Sequence, residues 1–374
     1  MEILTQYIIP FVLVLTILVF VHELGHYLVA RYNGVRVDVF SIGFGPEIFG
    51  WTDRAHTRWK FSLLPLGGYV KMYGDANAAS TPDQKELHAM SDQQKSMTLH
   101  GKSVGQRIAV SAAGPLANYL FAFIVFALLF ATVGQRYSPS EIGLIQPGSA
   151  AETAGLRVGD RVVSIEELPI QRFEDMQLII SENPEVPLMM TVMRGEDEFS
   201  LSVTPDIKTI KGAFGAVHET GVLGIGRQGV EYIKRNPLEA VFYAAKECYI
   251  LTSQTLISIG QMILGTRSAD ELGGPLRIAQ LSGEVFQAGF PTFLWFMAIL
   301  SISLGFINFL PIPLLDGGHL LFYFIEAIRG KPLSEKAQDR GFYFGFLVVG
   351  GLMIFSFWND LVHLHVIEKI KSFF

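Results

Sequence analysis

Residues Tyr7–Ala30 read YIIPFVLVLTILVFVHELGHYLVA, and this stretch decides how the rest of the chain is read. It is apolar for long enough to cross a bilayer core, which takes roughly 20 helical residues. Yet it carries His22, Glu23 and His26 near its end. An ionisable residue at the centre of a membrane helix costs about 2.5–3.5 kcal/mol on insertion scales, so three together demand a chemical reason. The run lacks the basic n-region and small-x-small site of a cleavable signal peptide.

Three further apolar runs follow, at about Ile108–Val133, Thr292–Leu310 and Phe342–Phe357. A fifth, Leu238–Leu264, is interrupted by Glu239, Lys246, Glu247, Gln254 and Gln261. It reads as an amphipathic helix lying on the membrane or on the protein, with a spanning helix as the other reading. The expected fold class is therefore a polytopic α-helical membrane protein of about four spans. The composition agrees: of 374 residues 50% are apolar and 17% charged, which excludes a disordered chain and argues against an ordinary soluble enzyme. A net charge of −6 gives no sign of nucleic-acid binding. One cysteine, Cys248, rules out an internal disulfide framework. Residues 31–102 hold nine Lys/Arg against seven Asp/Glu, and residues 135–291 hold thirteen against twenty. The short link between the third and fourth runs adds Arg329, Lys331, Lys336 and Arg340. These asymmetries place the first and last connections in the cytoplasm and the middle region on the exported side.

That middle region changes character. Turn signals appear at Pro147-Gly148, Gly155, Gly159-Asp160, Asn183-Pro184 and Arg194-Gly195. Between them Arg161–Ile165, Leu188–Met193 and Phe199–Val203 alternate as strands do, while Ala150–Ala154 and Phe173–Ser181 read as helices. The expected organisation is a first membrane part over 1–134, an α+β module over 135–226, an amphipathic helix and linker over 227–291, and a second membrane part over 292–374.

His22-Glu23-Leu24-Gly25-His26 has the H-E-x-x-H pattern. Positions i and i+4 share one helical face, so both imidazoles can reach one metal ion, and the adjacent glutamate can take a proton from water beside it. A catalytic zinc needs a third protein ligand. The segment Asn308–His319 (NFLPIPLLDGGH) offers Asp316 where two prolines break the third run. Irregular backbone at membrane depth is tolerated only inside protein or beside water. Asp316 could instead cap the helix that follows it, and His319 is a rival ligand. A buried polar cluster, or a proton relay in a transporter, is the other reading of the intramembrane charges.

HELGH in the first run and N-x-x-P-x-P-x-L-D-G-G in the third together resemble the site-2 protease family of intramembrane zinc metalloproteases. The string IQPGSAAETAGLRVGDRVVSIEELPI, and Gly155–Asp160 above all, resembles PDZ domains of bacterial membrane and periplasmic proteases. Well-known members of the closest subgroup carry two tandem PDZ domains, and this chain has room for one. The resemblance implies Zn2+ held by His22, His26 and Asp316, with Glu23 as catalytic acid and base. It implies a β-hairpin region dipping into the membrane between the first two spans, built from Val35–Gly45 and Trp59–Met72. It also implies substrate contacts at Gly43, Phe44, Gly45, Asn308, Pro311 and Pro313. The implied activity is regulated intramembrane proteolysis in the bacterial inner membrane. Its substrates would be single-span proteins already trimmed outside, such as an anti-sigma factor in a stress response or a remnant signal peptide. The PDZ-like module would bind peptides or exclude untrimmed ectodomains. A transporter and a catalytically idle PDZ scaffold are the alternatives.

Ser111–Asn118 (SAAGPLAN) opens the second run with small residues suited to close helix contact, and Asn118 there reads as structural. Gly273-Gly274-Pro275 reads as a loop and hinge. Ala76–Lys102 reads as a polar surface connection. His363 and His365 lie too far apart in angle on a helix to bind one ion together.

Overall fold

The computed structural model describes residues 4–76, 89–211, 217–227, 229, 231–265 and 273–363. Among them four helical stretches are long and apolar enough to cross a membrane: Leu4–Tyr32, Val104–Thr132, Phe290–Phe309 and Glu335–Val362. The chain divides into two compact units. One takes the residues up to Phe126, Ala244–Ser253 and those from Leu272 on; the other takes Ala127–Tyr243 with Gln254–Glu271.

In the first unit, helix α1 (Ile9–Tyr32) follows one π-helical turn, with Pro10 at its start, where a missing N–H costs nothing. It ends at Asn33, whose side chain donates to the Val29 carbonyl at 2.8 Å, and at Gly34 with φ +70°. Helix α2 (Asp92–Lys95) is a single turn closed by a Ser91/Gln94 capping box. Helix α3 (Val104–Thr132) approaches α1 closely: a Cβ on Gly25 would meet the Ala113 carbonyl and come within 2.7 Å of the Ala117 methyl. Helix α8 (Phe290–Phe309) lies against α3 through the Ser301 hydroxyl, which donates to the Asn118 carbonyl at 2.9 Å, and through Gly305. Small residues let these backbones meet, as membrane helices require.

The segment between α1 and α3 differs from two simple strands. Strand β1 runs Val37–Thr52, past Gly45-Pro46, and β2 runs Arg58–Met72. Gly43 and Gly45 adopt φ of +91° and +86°, which bend β1 so that its two halves pair separately. Gly68–Met72 pairs with the first half of β1, which also pairs with Arg58–Phe61, and these pair in turn with Phe49–Thr52. Gly68–Met72 is thus an edge of this sheet. Asp53 fastens the sheet to α1, because its carboxylate accepts the Tyr27 hydroxyl at 3.2 Å and the Trp59 indole N–H at 2.9 Å. The rings of Tyr27, Phe40 and Trp59 meet there.

The connection expected to lie wholly on the surface does not. Residues 77–88 lie outside the described residues, but Met90, Thr98 and Leu99 are buried. The Met97 carbonyl accepts the Arg36 N–H at 2.9 Å, which draws the segment under β1. The Gly-Gly-Pro segment is a helix start rather than a free hinge. Helix α7 (Pro275–Gln287) has its first N–H groups bound by Asp360 of the last helix, at 2.8 Å from both Gly274 and Leu276.

The second unit contains β3 (Gln135–Tyr137), β4 (Ile142–Ile145), α4 (Ala150–Thr153), β5 (Arg161–Ile165), β6 (Leu168–Pro169) and α5 (Phe173–Glu182). Strands β7 (Leu188–Arg194), β8 (Asp197–Val203), β9 (Asp206–Lys211), β10 (Val217–Val222), β11 (Ile225–Arg227) and β12 (Glu231–Ile233) follow. The central sheet has the order β6-β5-β7-β8, and β11 pairs with β4. Val162, Ile165, Met176, Met190 and Val192 form its core. Asp160, buried, holds the Gly155–Asp160 turn: it accepts the Arg157 N–H at 2.8 Å and both arms of Arg194 at 2.7 Å. The fifth apolar run forms α6 (Pro237–Leu264), started by the Asn236 side chain and ended by Gly265 at φ +74°.

Candidate metal centre

Helix α1 presents His22, Glu23 and His26 toward the start of helix α9 (Asp316–Arg329). His22, His26 and Asp316 are brought together across nearly three hundred residues of sequence. His22 Nε2 lies 3.1 Å from Asp316 Oδ2, His26 Nε2 lies 3.3 Å from Asp316 Oδ1, and the two Nε2 atoms are 3.3 Å apart. Asp316 is the first residue of α9, with Leu315 in the cap position and no capping hydrogen bond from its side chain. The helix-cap alternative is therefore not what the structure shows. His319 lines the same cavity, with its ring against Tyr323 and Phe342.

The tautomers make the cluster informative. His26 Nδ1 lies 2.8 Å from the Val110 carbonyl, which can only accept, so Nδ1 carries a proton and in the neutral ring Nε2 keeps its lone pair. His22 Nδ1 lies 3.2 Å from the Asn118 amide. Asn118 Oδ1 is buried without a partner, and turning the amide over lets Oδ1 accept from Nδ1–H. Both Nε2 lone pairs then face each other and the carboxylate, and Asp316 Oδ2 also lacks a hydrogen-bond partner. With both imidazoles neutral, these groups turn their lone pairs toward one point, an arrangement that a bound cation stabilises. Ligands about 2.0–2.1 Å from a tetrahedral zinc stand roughly 3.3–3.4 Å apart, so the donor set fits that ion.

Helix α3 supports this cluster with three positions at four-residue spacing, hence on one face. Val110 orients His26, Asn118 orients His22, and Gly114 lies between. A Cβ on Gly114 would come within 2.8 Å of His22 Cε1 and Nε2 and would press on His26 Nε2. Sequence reading took Asn118 as a structural polar residue. The signal that could have placed it beside the histidines was its four-residue step from Gly114, matched to the step between them.

The cluster opens on a cavity of about 190 Å³ lined also by Glu23, Gly68, Tyr69, Val70 and Asn308. Glu23 and Val70 share the wall of this cavity, Val70 lying on the edge strand of the sheet. Asn308 donates to the Leu304 carbonyl at 3.0 Å. Gly43 and Gly45 do not line this cavity; Phe44 reaches it only through Tyr69, on which its ring stacks at 5.9 Å. Pro311 and Pro313 lie in the loop that presents Asp316. In the second unit, α5 and the strands β10 and β11 frame a groove of about 440 Å³ with Phe173, Met176, Ile180, Leu223 and Ile225 on its walls.

The model of Peptidase family M50 matches residues 10–352. The chain belongs to peptidase family M50. This is the site-2 protease family of the sequence resemblance. Among its curated relatives is a protein of Rhizobium meliloti (strain 1021) named "Putative zinc metalloprotease". It is 44% identical over 361 residues, 95% of this chain and 96% of the relative. A relative of Agrobacterium fabrum with the same name is 43% identical over 96% of this chain and 97% of its own length. Metalloprotease MmpA of Caulobacter vibrioides is 33% identical, covering 96% of each. Among solved structures, the HtrA3 PDZ domain bound to a phage-derived ligand covers 20% of this chain and 81% of its own, with 20% identity and a TM-score of 0.17.

Proposed function

We propose that this M50 peptidase is an intramembrane zinc metalloendopeptidase that cuts a peptide bond within the transmembrane segment of a single-span protein. The observation that supports this best is the inward-facing trio of His22, His26 and Asp316, with Glu23 on the wall of the same cavity. In this reading those three residues hold Zn2+. When bound, zinc supplies Lewis acidity, making a neighbouring water acidic near neutral pH and polarising the scissile carbonyl. Glu23, on the wall of the same cavity, accepts the proton of the attacking water and returns it to the leaving amine. Asn308, which lines the same cavity, would hydrogen-bond the substrate backbone in this reading.

A transmembrane helix cannot be cut while its carbonyls are held by the next turn. The Gly68–Val70 edge borders the cavity, so an unwound segment can add to it as a further strand. Gly43, Phe44 and Gly45 then serve by bending β1 and backing that edge. Exposed Ile48, Phe49, Trp51, Leu63 and Leu64 give the sheet an apolar surface that suits contact with lipid. We place the protein in a bacterial inner membrane with the α+β module outside, following the charge asymmetry of the loops. There the PDZ-like groove would bind peptide ends or the module would exclude untrimmed substrates. Anti-sigma factors and remnant signal peptides are the substrate classes this reading names.

The test is cleavage of a trimmed single-span substrate by the purified full-length protein in detergent. Wild type should cut within the membrane segment, chelator should abolish cutting, and Glu23→Gln should keep the metal while losing about 100-fold or more in rate. Cleavage by Glu23→Gln at the wild-type rate would refute the acid–base role.

A further inference from the structure

The last helix, α10 (Glu335–His363), supplies no ligand and no residue to the cavity wall among the described residues. Much of it is exposed, including Tyr343, Phe344, Phe346 and Leu347. Its glycines, however, meet the loop that carries Asp316. A Cβ on Gly345 would fall on the Pro313 carbonyl oxygen. One turn earlier, a Cβ on Gly341 would lie 2.8 Å from the Phe322 ring and 3.6 Å from Pro313 Cγ. From the other side α9 closes on the same loop: a Cβ on Gly318 would lie 2.6 Å from the Ile312 carbonyl oxygen. The loop between these surfaces does not hold its own shape. Leu314 sits at φ +121°, a region that side-chain-bearing residues occupy only when their surroundings compel it.

We infer that Gly345 is a positioning residue for the third metal ligand: its bare backbone seats the Pro313 carbonyl and so fixes where Asp316 stands. The inference rests on the zinc reading given above. The Pro313 carbonyl oxygen takes the place a Cβ would occupy, so the approach is available only where no side chain intervenes. Asp316 lies three residues beyond Pro313, and metal ligands tolerate displacements of only about 0.2 Å. A methyl group at Gly345 overlaps the carbonyl and must move the loop or the helix by more than that. Gly350 and Gly351, on the same helix, would meet nothing within 4 Å and serve as controls.

The experiment uses full-length protein in detergent, stripped of metal and titrated with Co2+, with affinity and the visible absorption of the bound ion as readouts. Gly345→Ala is expected to lose about 10–100-fold in Co2+ affinity, as outer-shell changes do, and to alter the absorption band, while Gly350→Ala matches wild type. A substitution that only loosened the fold would lower thermal stability and leave both readouts of the folded fraction unchanged. Gly345→Ala with wild-type affinity and spectrum would overturn the inference. If that variant does not fold, Gly341→Ala decides: a loss of affinity supports the inference and wild-type affinity overturns it. Failure of the wild type to bind Co2+ would instead refute the metal centre itself.

Discussion

Gly114 offers a sharp test of the metal centre because its role is to be small. An alanine there puts a methyl carbon 2.8 Å from His22 Nε2 and closer still to His26 Nε2. Ordinary contacts lie near 3.4–4 Å, so the rings must retreat by at least about 0.6 Å, three times the tolerance of about 0.2 Å for metal ligands. Overfilling a well-packed interior costs about 1–3 kcal/mol. A loss of about 10–100-fold in metal affinity corresponds to about 1.4–2.8 kcal/mol, so the two scales agree. The assay is thermal unfolding of the full-length protein with and without zinc. Bound metal stabilises the folded state according to its concentration over its dissociation constant. Wild type should therefore gain thermal stability with zinc, and Gly114→Ala should gain little at the same concentration. An equal gain in both would show that the ion does not sit where the two Nε2 atoms face each other.

Other outcomes follow from single contacts. Asn118→Ala removes the partner of His22 Nδ1 and should weaken zinc by about 10–100-fold, measured by chelator competition, without touching Glu23. In the second unit, burial pushes the Asp160 carboxyl up, but the Arg194 guanidinium and the Arg157 N–H outweigh it and hold its pKa below the usual range. A depressed folded-state pKa gives stability that is present above the unfolded value near 3.9 and is lost as pH falls through the folded value. Hydrogen exchange of the β5 and β7 amides should therefore accelerate on acidification in wild type. Asp160→Asn should exchange faster at neutral pH and lose that part of the pH dependence. Persistence of the full pH dependence in the variant would assign it to another group.

Much of the architecture is legible from local patterns. The four candidate spans announce themselves by length and hydropathy, and the strand Arg161–Ile165 coincides with its expected limits because turn residues bound it on both sides. The pair His22 and His26 is legible because helical period alone sets two side chains on one face. The sheet between the first two spans was not fully legible. Its alternation marked strands, but the positive φ values of Gly43 and Gly45 let one strand serve two partners, and no short pattern encodes that register. Leu99 looked like part of a polar connection because its neighbours in sequence are polar, whereas its burial is set by β1 and α1.

The sequence by itself determined the chemistry on offer: two imidazoles one turn apart beside a carboxylate, a second carboxylate after a broken helix, and enough apolar length to set them in a membrane. Those are properties of a few consecutive residues, decided by helical period, proline's missing N–H and hydropathy. The tertiary structure decided which groups meet. It turned Asp316 from a possible helix cap into the neighbour of both histidines, set Val110, Gly114 and Asn118 behind them, and laid the Gly68–Val70 edge along the cavity. Those contacts join residues tens to hundreds of positions apart. They depend on how closely glycine and alanine let helices approach, and that distance becomes definite only when the helices close on one another.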